Sequence, residues 1–278
     1  MSHDLEIAID SVKKVGKMIR EKYREEKIVM KKGKQDFVTN VDIQAETMIV
    51  DCLRDTGYSF FGEERGKMKN GSNKTWIVDP IDGTYNFIHA IPFFAISLAL
   101  LEEENDLLLG VVYNPITEEC YWAEKGSGAY LNGEPVYIRE NKNIHESIFL
   151  MEHGSSEESR RKYLRCMSQL ILQKDMTVVR QGATALMLCL VARGAFDGFL
   201  SCGDELYDYA AGLIIAKEAG ASICDWKGSK WNNTNSYILV TNDALREQII
   251  EETKQIQGRF GLEKEKAWTF GVFHYSSF

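Results

Sequence analysis

Two carboxylates and a glycine follow an apolar run in the segment Thr75-Trp76-Ile77-Val78-Asp79-Pro80-Ile81-Asp82-Gly83-Thr84-Tyr85-Asn86-Phe87. The apolar residues are types that pack well on a buried strand, and Pro80 lacks the backbone N–H that a strand ladder needs. We therefore expect the ladder to end near Asp79 and Asp82, with a helical turn beginning at Gly83 and Thr84. Free amides at such a turn bind anions, and carboxylates bind cations. The segment predicts a metal-dependent phosphate site.

The length and charge of the chain restrict the class of protein. With 278 residues it is long enough for one large domain or for two closely packed halves, and we favour two halves that share a cleft. We expect an N-terminal α+β half at 1–143 that carries most metal ligands, and a C-terminal α/β half at 144–278 that completes the site. The formal net charge of −8 argues against broad binding to nucleic acid backbones or anionic membranes.

Sequence features also bear on the cellular compartment. No stretch is apolar for long enough to span a membrane, and Asp4 and Glu6 lie where a signal peptide would be basic and then apolar. The six cysteines are scattered and form no Cys-x-x-Cys pair, which indicates neither a zinc site nor a disulfide framework. We therefore expect a cytoplasmic protein with reduced thiols and with neither nucleic acid nor membrane as a partner.

Hydrophobic periodicity predicts two amphipathic helices near the start of the chain. Apolar residues recur at helical spacing in 5–19 and again in 45–53. Three polar residues ahead of the second helix, Thr39, Asn40 and Asp42, are candidates to cap it.

The middle and the end of the chain have different patterns. Short apolar segments between 93 and 123, followed by the turn Asn132-Gly133, predict an antiparallel sheet with a tight hairpin. Beyond about residue 140, apolar strands alternate with helical patterns at 184–191 and 209–219, which is typical of an α/β arrangement.

Acidic residues in three separate segments are candidate metal ligands. Mg²⁺ prefers oxygen ligands and keeps several waters, so its site needs a few carboxylates that lie close together and face a phosphate. The candidates are Glu63, Asp79, Asp82 and Asp208, with the Ile81 carbonyl as a neutral ligand. Ions held there would polarise the phosphoryl group and lower the pKa of a water, which Thr84 and Glu63 would orient.

Each of these signals also has an ordinary structural interpretation. Asp79 and Asp82 fit a strand-to-helix turn in which one aspartate caps the helix, and Glu63 fits a solvated acidic turn. Asp208 fits the first turn of a helix, where the helix dipole favours a negative charge, and Asp42 fits a helix cap. The case for a site therefore depends on the linkage between the segments.

Together these segments resemble the inositol monophosphatase family of Mg²⁺-dependent, lithium-sensitive sugar-phosphate phosphatases. The resemblance covers roughly residues 1 to 245. It rests on Gly62-Glu63-Glu64, on Trp76–Phe87 as Asp-Pro-x-Asp-Gly-Thr-x-Asn-Phe, on Tyr207–Gly212 as aromatic-Asp-x-Ala-Ala-Gly, on Asp36–Asp42 as Asp-x-Val-Thr-x-x-Asp, and on the glycine-rich hairpin Gly126–Gly133. It implies a layered αβαβα sandwich, usually dimeric, and hydrolysis by direct attack of a metal-activated water.

The resemblance also implies roles for single residues. One metal ion is expected at Glu63, Asp79 and the Ile81 carbonyl, a second at Asp79, Asp82 and Asp208, and a weaker third at Asp42. Glu63 and Thr84 are implied to activate the water. Substrate contacts are implied for Asp82, Gly83, Thr84, Gly182, Ala183, Thr184 and Asp208. Mn²⁺ is expected to substitute for Mg²⁺, and Li⁺ to inhibit.

One departure from the family pattern leaves the substrate open. Ser201 stands where animal inositol monophosphatases carry a glutamate that binds ring hydroxyls. Either Asp204 or Glu205 takes over the recognition of hydroxyls, or the enzyme prefers a different phosphate ester. Inositol 1-phosphate is one candidate substrate, and the alternatives are those of fructose-1,6-bisphosphatase and of 3'(2'),5'-bisphosphate nucleotidase. A non-catalytic metal-binding regulatory protein is an alternative of another class. The complete set of predicted ligands argues against it. The aromatic-rich tail, 268–278, is expected to dock on the body or on a partner subunit.

Overall fold

The computed structural model describes residues 1–33, 36–103, 106–233 and 237–259. The tail at 268–278 lies outside these residues. The helices of the described part are α1 His3–Lys22, α2 Asn40–Leu53, α3 Thr84–Ile88, α4 Glu157–Lys174, α5 Thr184–Ala192, α6 Leu206–Glu218 and α7 Asp243–Arg259. Its strands are β1 Val29–Gly33, β2 Asp36–Thr39, β3 Ser59–Gly62, β4 Gly66–Met68, β5 Lys74–Asp82, β6 Ala95–Glu102, β7 Asp106–Asn114, β8 Glu119–Glu124, β9 Ala129–Leu131, β10 Glu134–Val136, β11 Ile148–His153, β12 Thr177–Val179, β13 Gly198–Cys202, β14 Ser222–Cys224 and β15 Tyr237–Thr241.

The strands form two large sheets and a two-stranded ribbon of β1 and β2. The larger sheet has eight strands in the order β10-β9-β8-β7-β6-β5-β3-β4, and its strands are antiparallel except for the pair β3 and β5. The smaller sheet has five strands in the order β12-β11-β13-β15-β14, with β11 parallel to both β12 and β13. The predictions of an antiparallel middle region and of α/β character beyond residue 140 are confirmed.

Helices and sheets alternate in five layers. The apolar stripes of α1 and α2 pack on one face of the eight-stranded sheet, as the periodicity of 5–19 and 45–53 predicts. The other face packs on α5 and α6, which in turn contact the five-stranded sheet. The outer face of the five-stranded sheet is covered by α4 and α7. The predicted αβαβα sandwich is confirmed.

The middle layer of helices, α5 and α6, is buried on both faces. All nine residues of α5 are buried, and eight successive residues of α6, 209–216, are buried as well. A helix that is apolar on every side is buried between other elements, and here both neighbours are sheets.

The end of β5 agrees with the sequence-based expectation, because the ladder ends at Asp82. The sequence did not predict how the strand passes Pro80. Asp79 pairs with Ser97 and Asp82 pairs with Ala95, so β5 uses one more residue than its partner strand and bulges between the two acids. A bulge leaves a residue unpaired, which accommodates the missing N–H of Pro80.

Local signals at two other positions are confirmed. Thr39 is the residue that caps α2, and it forms a reciprocal capping box with Asp42. Asn132 and Gly133 form the two-residue turn between β9 and β10, with φ values of +50° and +92°. In the described residues, no helix has both the length and the apolar character needed to cross a membrane.

Candidate metal centre

Sheet topology brings together acids that are far apart in sequence. Gly62 at the end of β3 is in register with Val78 on β5, and the Glu63 N–H continues this pairing by donating to the Val78 carbonyl at 3.1 Å. Glu63, directly after β3, and Asp79, within β5, are therefore neighbours on two parallel strands. Asp208 joins them from the first turn of α6, which packs against β5 and β6.

The pKa values of these acids show that they lie within electrostatic range of one another. Burial raises the pKa of Asp79 well above its usual value, and the charges of Glu63, Asp82 and Asp208 raise it further. Burial likewise raises the pKa of Asp208, with Asp204, Glu63 and Asp82 adding to the effect. Burial is also the main cause that brings the pKa of Asp82 to about 8. The cluster holds more negative charge than its surroundings compensate.

A lysine of the β1–β2 ribbon faces the edge of this cluster. Lys32 Nζ lies 3.1 Å from Glu63 Oε1 and 2.5 Å from Glu64 Oε1. Burial lowers the pKa of Lys32, but the charges of Glu63 and Glu64 outweigh burial and raise it. One ammonium group thus compensates part of the negative charge.

The carboxylates are gathered but are directed at protein donors. Asp79 Oδ1 accepts from the Ile81 N–H at 3.0 Å, and Asp208 Oδ2 accepts from the Glu205 N–H at 2.7 Å. Within the described ranges, no group of three or more histidine, cysteine or acidic side chains already has the arrangement of a metal site. The donor set still fits Mg²⁺, because this cation prefers carboxylate oxygens. A divalent cation would also offset the mutual repulsion that raises the pKa values of these acids.

Thr84 and Asp42 form a connected pair beside the cluster. Thr84 Oγ1 lies 3.1 Å from Asp42 Oδ1 and 3.1 Å from the Ile81 carbonyl. Asp42 is fully buried, and its other oxygen accepts from the Thr39 N–H at 2.9 Å. Asp42 therefore completes the capping box of Thr39 and fixes the hydroxyl of Thr84. A third metal ion at Asp42 stays a prediction.

The C-terminal half reaches the centre through the N-terminus of α5. Asp82 accepts from the Thr184 N–H at 2.9 Å with one oxygen and from the Ala185 N–H at 2.7 Å with the other. Asn86 Nδ2 donates to the Gln181 carbonyl at 2.8 Å. These bonds place the predicted substrate segment, 182–184, directly against the β5–α3 turn.

Glycine is required at that turn for two reasons. Gly83 precedes α3 with φ +90°, a conformation that other residues adopt with strain. A Cβ at Gly83 would also lie 3.0 Å from the Gly182 carbonyl oxygen and 3.0 Å from the Ala183 Cβ. The close approach leaves the amides of Gly83 and Thr84 at the start of α3, where an anion would bind.

Sequence reasoning missed Glu46 as a positioning residue. Glu46 is buried on α2, and its two oxygens accept from the Glu64 N–H at 2.8 Å and the Arg65 N–H at 3.2 Å. A Cβ at Gly62 would lie 2.2 Å from Glu46 Oε1, so the glycine makes room for this carboxylate. The available signal was an acid next to Ala45 on the apolar face of a helix.

The position that departs from the family pattern is buried. Ser201 lies on β13, fully buried, and its hydroxyl donates to Asp204 Oδ2. Glu205 is exposed just before α6. Of the two residues expected to replace the missing glutamate, Asp204 is the one that Ser201 contacts.

Comparison with known proteins agrees with the fold and the motifs. The model of the inositol monophosphatase family matches residues 1–258. An inositol-1-monophosphatase of Caulobacter vibrioides is 40% identical over 233 residues, which cover 81% of this chain and 90% of the relative. A fructose-1,6-bisphosphatase/inositol-1-monophosphatase of Thermotoga maritima is 32% identical, with 92% of this chain and 98% of the relative covered.

A solved structure extends the agreement to three dimensions. The extragenic suppressor protein suhB of Bartonella henselae superposes with a TM-score of 0.85 at 30% identity, over 91% of this chain and 99% of that chain. The sequence match, the layer order and the gathered acidic segments lead to the same assignment, and the prediction of a phosphoric monoester hydrolase family is confirmed at that level. The chain belongs to the inositol monophosphatase family.

Proposed function

We propose that this protein is a Mg²⁺-dependent phosphatase that hydrolyses a small sugar or polyol monophosphate, such as inositol 1-phosphate. The observation that carries the proposal is the clustering of Glu63, Asp79, Asp82 and Asp208 beside the turn at which α3 begins. Carboxylates next to an anion-binding turn are the two halves of a phosphoryl-transfer site.

The residues divide the work of hydrolysis between them. Bound Mg²⁺ would supply neutralisation of phosphoryl charge and a lowered pKa for a water. Glu63, Asp79 and the Ile81 carbonyl would hold one ion, and Asp79, Asp82 and Asp208 a second. Glu63 and Thr84 orient the water, since Asp42 fixes the Thr84 hydroxyl at 3.1 Å. The amides of Gly83 and Thr84 donate to the phosphate oxygens. Water attacks phosphorus directly, without a phosphoenzyme: its oxygen forms the new P–O bond, the ester P–O bond breaks, and the alcohol leaves with a proton from the water.

Phosphate release from a panel of esters tests the proposal. The panel is inositol 1-phosphate, fructose 1,6-bisphosphate, 3'-phosphoadenosine 5'-phosphate and NADP, each with Mg²⁺ or with EDTA. We expect release that requires Mg²⁺, is supported by Mn²⁺ and is inhibited by Li⁺. Release that persists in EDTA would contradict the metal assignment. If no ester releases phosphate while Mg²⁺ still binds, the non-catalytic regulatory alternative is favoured.

Bisphosphate hydrolysis is a second candidate. It is favoured by the relative from Thermotoga maritima, whose name includes fructose-1,6-bisphosphatase. The same panel separates the two activities and also includes a substrate of the 3'(2'),5'-bisphosphate nucleotidase alternative.

We also propose that the chain divides at 143/144 and works as a homodimer. All strands of the eight-stranded sheet lie between 59 and 136, and all those of the five-stranded sheet lie between 148 and 241. This separation supports the division. Sedimentation at micromolar concentration measures the oligomeric state, and a monomer would contradict the homodimer.

A further inference from the structure

The five-stranded sheet changes direction next to the metal centre. The chain passes from β11 through α4 to β12 on one side, then through α5 to β13 on the other side of β11. The two connecting helices lie on opposite faces of the sheet. In open α/β sheets, ligands bind outside the carboxyl ends of the parallel strands at such a switch of direction.

Polar residues occupy the carboxyl ends of these three strands. Glu152 on β11 is in register with Ser201 on β13, so the two side chains are neighbours on one face. It is the face that Leu150 and Phe199 turn towards the middle layer. Arg180 directly follows β12. We call Glu152, Arg180, Ser201 and Asp204 the switch-point pocket.

Glu152 is the central contact of this pocket. Its Oε1 accepts from Arg180 Nε at 2.6 Å and from the His153 N–H at 3.0 Å. Its Oε2 is buried and has no hydrogen-bond partner in the part of the chain that the structure describes. An acceptor of this kind is costly to bury and indicates that a donor is missing from the site. On the opposite side, Ser201 donates to Asp204 and fixes that carboxylate.

Helix α5 connects the switch-point pocket to the metal centre. It links β12 to β13, and its first two amides donate to Asp82 at 2.9 and 2.7 Å. Within the pocket, the charge of Glu152 is the largest cause after burial that raises the pKa of Asp204 to about 7. The side chain of Arg180 is 45% exposed, and its charge is balanced by Glu152. The part of the substrate beyond the scissile phosphate would therefore contact carboxylate acceptors and the Arg180 guanidinium, whose charge Glu152 already balances.

We propose that Glu152 is a specificity-determining residue, which favours a substrate whose part beyond the scissile phosphate carries hydroxyl groups and disfavours a second phosphate there. This inference rests on the proposed function. Hydroxyl groups would donate to Glu152 and Asp204 and fill the missing donor position. A second phosphate would instead face these carboxylates, because Glu152 cancels the charge of Arg180.

Charge-changing variants test the inference. The measured quantity is the ratio of kcat/KM for fructose 1,6-bisphosphate to kcat/KM for inositol 1-phosphate. Glu152→Gln leaves the charge of Arg180 unbalanced, so we expect the ratio to rise by about tenfold. Glu152→Gln combined with Arg180→Gln restores neutrality and should return the ratio towards the wild-type value. The matched control is Glu134→Gln at an exposed position of β10, which should leave the ratio unchanged.

The possible outcomes separate the two proposals. An unchanged ratio in Glu152→Gln, with both esters still hydrolysed, overturns the role of Glu152 and leaves the proposed function intact. Absence of Mg²⁺-dependent release by the wild type from both esters overturns both. If Glu152→Gln does not fold, Arg180→Gln alone makes the pocket more negative and should lower the ratio. A rise or no change in that variant would overturn the inference.

Discussion

At the scale of single residues, the acids of the centre serve to bind a ligand and do not stabilise the fold. Their pKa values are raised by burial and by one another, so each ionised carboxylate costs free energy in the metal-free protein. Backbone donors compensate part of this cost, as at Asp82, whose two oxygens accept from two amides at the start of α5.

Asp208→Asn should therefore separate activity from stability. Asparagine keeps an oxygen that can accept from the Glu205 N–H but removes one negative charge from the cluster. We expect kcat/KM to fall by about a hundredfold or more, because a metal ligand is lost. Urea unfolding of the metal-free protein at pH 8 should show no loss of stability. Asp55→Asn at an exposed position is the matched control. Wild-type turnover in Asp208→Asn would contradict the assignment of this ligand.

At the scale of elements, the turn between β5 and α3 positions the phosphate-binding amides against the C-terminal half. Two helix termini meet there, since Gly83 precedes α3 and the segment 182–184 precedes α5. The two backbones approach so closely that a Cβ added to Gly83 would lie only 3.0 Å from the Gly182 carbonyl oxygen. Any side chain at Gly83 would push them apart.

Gly83→Ala and Gly133→Ala together measure this close approach. Both glycines have nearly the same φ, +90° and +92°, but a Cβ at Gly133 has no neighbour within 4 Å. Gly133→Ala should cost about 1–2 kcal/mol of unfolding free energy from backbone strain alone. We expect Gly83→Ala to cost more than this and to reduce kcat, as measured by urea unfolding and phosphate release. Equal losses of stability in the two variants, with kcat unchanged in Gly83→Ala, would show that the close approach of the two backbones is unimportant.

Short-range signals predicted the elements better than they predicted pairing. The capping box of Thr39 and Asp42 and the hairpin at Asn132 are local, and the structure confirms them. The bulge in β5 depends on how many residues of β6 lie opposite it, which the sequence of β5 does not contain. For the same reason, the register that places Glu152 beside Ser201 was not predicted.

At the scale of the whole molecule, the residues of the centre come from both sides of the proposed boundary at 143/144. The N-terminal half contributes Glu63, Asp79 and Asp82, and the C-terminal half contributes Asp208 and the amides of α5. Sequence motifs identified these residues because their spacing within each segment is characteristic. The interlocking between segments was not visible in the sequence, because Glu46 and Asn86 act through backbone groups that any residue carries.

Stability of the metal-free protein should depend on pH in a defined direction. The folded-state pKa values of Asp82 and Glu64 are raised by burial to about 8 and about 7, above those of the unfolded chain near 4. The folded state therefore binds more protons in this range, and its stability falls as pH rises from about 4 to 8. We expect Tm in EDTA to be lower at pH 8 than at pH 5.5, and Mg²⁺ to raise Tm more at pH 8. A Tm that rises with pH in EDTA would contradict the burial of these acids.

The enclosed middle layer has a consequence for how this chain can vary. Because α5 is buried along all nine residues, it offers no position at which a charged side chain could reach water. Helices α1 and α4 each keep an exposed side on which polar residues exchange at little cost. Mutational tolerance should therefore be lowest in a helix that contributes no catalytic side chain beyond its first turn, and a map of tolerated substitutions would show the inner layer as strongly constrained as the metal centre itself.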